Sequence, residues 1–381
     1  MNRIREYRSS LYSRKKLPVP DKNPDVILLI ITLILVMVGT VMIYSSSSIM
    51  AAARYHDGYL FLKKQLIFVC LGLGLMILWT KIPYHYLKKL AYPFIGLSFV
   101  LLVAIFIPHV GMKAGGAKRW LKLGFFSFQV SEMVKVAIVL FLAHFLTKKM
   151  DVLRDFKKGV VAPLTVVAFL VGLILLQPDF GTAVIIAILL MFMLYVSGCR
   201  VLHLSEMVAA LIPIGVFILM QKPYRLARLT AFHDPWKDPH NTGFQIIQSL
   251  ISFGSGGAFG VGVGDGMQKL FYLPEPHTDF IIAVIAEEAG FVGVMAVIVL
   301  FSVFIYRGFM IAFKAPDRFG SLLAAGLTMI IALEAFVNIA GVMGLVPLKG
   351  LALPFLSYGG TSLLMSLMMV GILLNVSSYE K

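Results

Sequence analysis

Charge is scarce in this sequence. Of its 381 residues only 14% are Asp, Glu, Lys or Arg, against about 25% in soluble domains, while 59% belong to the apolar set AVILMFWYC. The mean hydropathy of +0.89 says the same and argues against a soluble enzyme. Cysteine is scarcer still: Cys70 and Cys199 lie in or beside apolar segments and form no CxxC pair, which excludes a disulfide framework and a structural zinc site. Motifs for several chemistries are missing as well. There is no HExxH and no GxSxG, and no Gly-Lys-Ser/Thr follows the glycines at Gly260, Gly262, Gly264 and Gly266, so a Walker nucleotide site is absent.

Long apolar runs are what the chain does have. A helix needs roughly 20 predominantly apolar residues to cross a bilayer core. Such spans are predicted at about 26–48, 65–79, 91–109, 130–147, 160–177, 181–197, 204–221, 280–306, 319–344 and 360–376. The second is short, and Lys63 and Lys64 can snorkel, so its start is expected a few residues earlier. The fold class is therefore an all-α polytopic membrane protein with ten transmembrane helices. With the N-terminus cytoplasmic, 71 inner residues carry 20 Lys and Arg, whereas 112 outer residues carry 13. That asymmetry follows the positive-inside tendency and returns the C-terminus to the cytoplasm. The net charge of +15 is thus mainly topology, and no nucleic-acid partner is expected.

Three parts follow: a basic cytoplasmic tail over 1–25, one membrane domain over 26–376, and a cytoplasmic C-terminus over 377–381. The tail carries Arg3, Arg5, Arg8, Arg14, Lys15, Lys16 and Lys22, each able to contribute about 1 kcal/mol at an anionic lipid surface. Its length argues against a signal peptide, so the first helix is read as a permanent span. No internal repeat is evident. The outer segment 222–279 is 58 residues long, far beyond an ordinary connector, and carries Trp236, Phe244, Phe253, Phe259, Phe271 and Tyr272. Its amphipathic and glycine-rich stretches predict interfacial or re-entrant helices lying on the bundle.

Ionisable residues inside spans are costly and mark candidate sites. Glu132 and Lys135, spaced i,i+3, share a helix face, either as a structural ion pair or as part of a polar cavity. Glu287 and Glu288 are adjacent in the eighth span. Glu206 lies near a cytoplasmic end and is expected to be wet. Glu334 and Asn338, spaced i,i+4, suit hydrogen bonding to another helix. Asp279 stands at the outer mouth of the eighth span in LPEPHTDFIIAVIAEE, after two prolines that favour extended chain. It suits a helix cap and a general base equally well. Lys113, Lys118, Arg119 and Lys122 around Trp120, with Arg225 and Arg228 in the large loop, offer outer-face cations for an anion, whether pyrophosphate or lipid phosphate.

The strings GAKRWL, FSFQVSEMVK, QPDFGT, DPWKDPHNTGFQIIQSL, QKLFYLPEPHTDFIIAVIAEEAG and LALPFLSYGGTSLL resemble the SEDS proteins, the peptidoglycan glycosyltransferases of division, elongation and sporulation. The resemblance runs from the first span to the last, and its several motifs at matching spacing make it more specific than any one pattern. It implies polymerisation of lipid II, the undecaprenyl-pyrophosphate-linked precursor, at the outer face of the bacterial cytoplasmic membrane, with the division type and the septum favoured. It places the family's essential aspartate on Asp279, its cavity pair on Glu132 and Lys135, and its outer-face arginines on Arg119, Arg225 and Arg228. His277 departs from the pattern, since many members carry Gln there. The resemblance further implies a class B penicillin-binding protein as partner, other division proteins nearby, and no nucleotide cofactor. A divalent cation, Mg or Mn, is expected only in company with the pyrophosphate. Two rival classes remain at this stage: a lipid II flippase using the same polar cavity, and a non-catalytic membrane scaffold.

Overall fold

The computed structural model describes residues 23–114, 117–123, 126–153, 155–221, 223–267, 277–347 and 350–379. Helices dominate. In chain order they are α1 (Val26–Tyr55), α2 (Leu60–Lys81), α3 (Leu87–Ala104), α4 (Val130–Lys148), α5 (Val161–Leu176), α6 (Phe180–Val196) and α7 (Val201–Met220). They continue as α8 (Pro223–His233), α9 (Phe244–Gly256), α10 (Ile281–Lys314), α11 (Arg318–Val342) and α12 (Gly360–Ser377). Among the described residues nine helical segments are long and apolar enough to cross a membrane, and α6, at 17 residues, is apolar but shorter. Every predicted span therefore carries an apolar helix, with nine rather than ten reaching full crossing length. α2 begins at Leu60, so Lys63 and Lys64 do lie within it.

The outer segment between α3 and α4 is not helical. It forms an antiparallel three-stranded sheet of β1 (Gly111–Ala114), β2 (Ala117–Leu123) and β3 (Phe126–Gln129) in the order β1-β2-β3. Backbone groups at this edge of the bundle lack helical partners, and cross-strand pairing supplies them.

Burial sorts the helices into a centre and a rim. α4, α11 and α12 are covered on nearly all sides, from Val130 through Ala143, Phe319 through Ile331 and Leu363 through Ser377. α7, by contrast, buries only Leu204 and Met207. Its apolar remainder faces outward, including Ile212 and Phe217, as a lipid-facing helix should. Glu206 is exposed at the expected end of this helix.

The long outer loop folds onto this frame. α9 buries Ile246, Ile247, Ser249 and Ser252 against the bundle, and the Ser249 hydroxyl donates to the Val342 carbonyl at the end of α11. The basic tail up to residue 22, and the prolines Pro274 and Pro276 with Phe271 and Tyr272, lie outside the described residues.

At the end of the bundle where α1 begins, Asp25 caps α1 by accepting from the Leu28 amide at 2.9 Å and pairs with Arg307 of α10. Asp317 caps α11 while accepting from Lys88 and the Tyr84 hydroxyl at 2.8 and 2.9 Å. These pairs tie α1 to α10 and α3 to α11 at that end, leaving the opposite end to be fixed by the loop and the sheet.

Candidate active site

Asp279 occupies the turn formed by residues 277–280 before α10 and is half-buried. The N-cap position is held by Phe280, with no side-chain capping bond, so Asp279 stands one residue outside the helix it precedes. Its surroundings come from three elements. Asn338 of α11 donates to its carbonyl at 2.9 Å. A Cβ added to Gly350 would lie 2.9 Å from Asp279 Oδ2, so the carboxylate rests against bare backbone of the segment leading to α12. Two residues earlier, the His277 carbonyl accepts from the Tyr358 amide at 2.8 Å, and the imidazole packs 4.5 Å from Phe61 and 5.5 Å from Tyr358 between ring centroids. Burial pushes the His277 imidazole down to about 4, so it is neutral at pH 7.

The helix behind Asp279 is broken. Ile281 through Glu288 are all buried, and at Gly290 the backbone turns to φ 65°, ψ −164°, inside what would otherwise be one 34-residue helix. The glycine loop after α9 fills the break. The Phe291 and Val292 amides donate to the Gly257 and Ala258 carbonyls, and the Val261 and Gly262 amides donate to the Glu287 and Glu288 carbonyls. A Cβ on Gly290 would lie 2.3 Å from the Gly260 nitrogen, and one on Gly260 would lie 2.1 Å from the Glu288 carbonyl oxygen. Of these loop glycines, Gly260 serves close backbone packing, while Gly262 and Gly264 adopt positive φ. Glu287 accepts from the Met267 amide at 2.8 Å, and Glu288 accepts from the Ser45 hydroxyl of α1 at 2.6 Å. Both carboxylates hold the break together.

Lys135 is buried between two carboxylates. Its Nζ donates to Glu132 Oε1 at 2.8 Å on its own helix and also to Glu334 on α11. A buried ammonium needs such partners, and here the triad joins two central helices. Glu334 was expected to pair across helices, but its role as the second anion on Lys135 was not legible. Asn338, one turn further along α11, bonds to the Asp279 and Leu351 carbonyls, which lie in non-helical segments and not on another helix as its spacing suggests.

The basic cluster around Trp120 separates into two faces. The register breaks at Arg119: Trp120 pairs with Met112 and Lys118 with Lys113, so Arg119 is the bulged residue, Trp120 and Lys122 share one face of β2, and Lys118 and Leu121 lie on the other. Leu121 is buried, and Arg119 reaches the turn between α5 and α6, where it donates to the Pro178 carbonyl at 2.6 Å and lies 3.9 Å from Asp179. The side chain of Lys113 lies outside the described residues. Arg225 is buried, donates to the Ile218 carbonyl at 2.6 Å, and sits 5.6 Å from the Phe180 ring centre. Arg119 and Arg225 therefore meet at one corner, residues 177–180 of the QPDFGT motif. Arg228, three residues on, is exposed on α8.

Two groupings result on α11 and its neighbours, Asp279 with Asn338 and, one turn away, the Lys135–Glu132–Glu334 triad, alongside the two arginines near residues 177–180. Among the described residues no three His, Cys, Asp or Glu side chains are grouped to hold a metal ion, so no protein-held cation is assigned a step.

Comparison with known proteins agrees with this architecture. The chain is 47% identical over 356 residues to a probable peptidoglycan glycosyltransferase FtsW of Trichlorobacter lovleyi, covering 93% of each. It is 42% identical to the stage V sporulation protein E of Bacillus subtilis, covering 94% of this chain and 98% of that protein. A solved structure on the coordination of polymerization and crosslinking by a peptidoglycan synthase complex superposes with a TM-score of 0.77 at 31% identity, covering 94% of this chain and 99% of that one. Since the description of the FtsW, RodA and SpoVE cell cycle proteins matches residues 26–381, the whole multi-pass membrane domain, this chain belongs to that family.

Proposed function

We propose that the protein is a peptidoglycan glycosyltransferase that polymerises lipid II into β-1,4-linked glycan at the outer face of the bacterial cytoplasmic membrane. The observation that carries the reading is the placement of Asp279: outside the helix cap, half-buried, and backed by protein main chain on two sides. Its carboxylate accepts the proton of the acceptor's 4-hydroxyl. That oxygen attacks the anomeric carbon of the donor, the C1–O bond to pyrophosphate breaks, and undecaprenyl pyrophosphate departs with the electron pair. One displacement inverts the configuration, from α-linked donor to β-linked product. Cations at the arginine corner balance the charge growing on the leaving group. Arg119, Arg225 and Arg228 are assigned that role, with any Mg or Mn ion travelling on the pyrophosphate. Lys135, held between Glu132 and Glu334, contributes to the fixed electrostatic field beneath the site.

The activated glycosyl C1–O bond to the pyrophosphate supplies the driving force, in keeping with a sequence that has no nucleotide motif. Purified protein in detergent, where no two-sided membrane exists, should convert lipid II to glycan, and Asp279→Asn should slow it by about 100- to 10,000-fold, to a small residual rate. A flippase would show no polymer under these conditions, and an Asp279→Asn enzyme running near the wild-type rate would overturn the catalytic assignment.

The relatives named FtsW support a division role at the septum, and the synthase complex supports a class B penicillin-binding protein as the crosslinking partner. The likeness to the sporulation protein favours a second reading, synthesis of spore wall. A fluorescent fusion that gathers at division sites, rather than around forespores, decides between them.

A further inference from the structure

We propose that Asn338 is the positioning residue of the general base, an inference that rests on the assignment of Asp279 above. A side-chain amide has two N–H donors, and Asn338 uses both on main-chain carbonyls from separate parts of the chain: Asp279 at 2.9 Å and Leu351 at 2.6 Å. Those two carbonyls bracket the carboxylate. Asp279 carries it, and Gly350, the neighbour of Leu351, is the backbone against which Oδ2 rests. A single side chain thereby fixes the distance between the base and the wall behind it.

The side chain is itself held firmly. Asn338 is buried on α11, one of the central helices, and Glu334 one turn earlier is tied to Lys135 on α4. Reversing the amide would point its oxygen at two carbonyl oxygens, so the donor orientation is the only favourable one. Ordinary helix packing would require one such bond at most and would not converge on the residue that carries the chemistry. Gly350 belongs to the same device. A methyl there would intrude on Asp279 Oδ2 at 2.9 Å, displacing the carboxylate without touching its charge.

Displacement of a catalytic group by about 1 Å costs on the order of 100-fold in rate. Asn338→Leu keeps the approximate volume and removes both donors. It should lower kcat for lipid II polymerisation by about 10- to 100-fold with KM within about twofold. Gly350→Ala should do the same through the other side of the clamp, and remains a test if Asn338→Leu does not fold. Residual activity supplies the readout that a purely structural residue would not move. In an Asp279→Asn background, Asn338→Leu should cost nothing more, because a positioning residue acts only through the group it positions. Wild-type kcat in both single variants, or losses that multiply in the double variant, would overturn the proposal. If Asp279→Asn is itself fully active, the reading of Asp279 fails first; if it is slowed to a residual rate while Asn338→Leu and Gly350→Ala run at wild-type kcat, only this inference fails.

Discussion

Lys135 and Glu334, 199 positions apart in the chain, form a buried ion pair that joins α4 to α11 at the centre of the bundle. Glu132 completes the group from the Lys135 side, at 2.8 Å. With two carboxylates around one ammonium, the three side chains are not equivalent. Removing the cation leaves two anions facing each other, whereas removing one anion leaves a matched pair.

That asymmetry predicts an order of stabilities. Lys135→Met should destabilise by about 3 to 5 kcal/mol, the cost of leaving buried charge uncompensated. Glu334→Gln should cost much less, since Lys135 keeps Glu132 and the amide still accepts a hydrogen bond. Thermal unfolding in detergent reads the order directly. Equal losses in the two variants would show that charge balance is not what the triad provides.

His277 gives the fold a pH dependence. Its imidazole titrates at about 4 in the folded protein because burial disfavours the charged form, against 6.5 for a free side chain. The unfolded chain therefore takes up a proton first as pH falls. The stabilisation is complete above about 6.5 and is lost progressively down to about 4, by at most about 3 kcal/mol. Asp317 acts in a lower window: burial pushes its carboxyl up, but Lys88, the Gly320 amide and the Tyr84 hydroxyl together bring it below its usual 3.8. His277→Gln should flatten the dependence of melting temperature on pH between about 6.5 and 4 while leaving the fall below 4 intact. An unchanged slope in this variant would count against a neutral buried imidazole.

The helix break predicts a contrast between glycines. Gly290 needs φ 65° and leaves no room for a Cβ beside Gly260. Gly290→Ala should therefore destabilise by several kcal/mol, combining backbone strain of about 1 to 3 kcal/mol with disruption of the loop packed on it. Gly172 in α5 has nothing within 4 Å of a built Cβ. Gly172→Ala should be neutral or stabilising by up to about 1 kcal/mol, through helix propensity alone. Limited proteolysis of the outer loop, alongside unfolding, would show the first variant cut faster and the second unchanged.

What the sequence made legible follows from the range of the forces involved. Apolar runs of about 20 residues announce spans because a bilayer imposes its thickness locally. The start of α2 at Leu60 was accessible for the same reason, since Lys63 and Lys64 snorkel. The sheet was not. Its strands have 4, 7 and 4 residues, too short for a clear alternating pattern, and only pairing reveals that Arg119 is the bulged residue between Lys118 and Trp120. Glu334 had a visible spacing to Asn338 but no visible partner, because its ion pair closes across 199 residues. One signal was present and underused: Glu287, Glu288 and Gly290 cluster inside an apolar run, which an unbroken membrane helix would not tolerate cheaply.

Arg119 combines two possible duties that a pair of substitutions can separate. Its guanidinium is anchored on the Pro178 carbonyl beside Asp179, whose own carboxylate caps α6 by accepting from the Thr182 amide at 3.2 Å and hydroxyl at 3.0 Å. If Arg119 served only to brace this corner, loss of Asp179 and loss of Arg119 would have similar effects. Asp179→Ala removes the cap and should cost about 1 kcal/mol of stability, with polymerisation per folded molecule within about twofold of wild type. If Arg119 balances the leaving group as proposed, Arg119→Ala should lower kcat at least about 10-fold. Arg119→Lys restores the charge but not the planar fork, and should recover only part of the loss. Full activity in Arg119→Ala, measured with purified protein and lipid II, would take this arginine out of the chemistry and leave it as a brace for the α5–α6 turn.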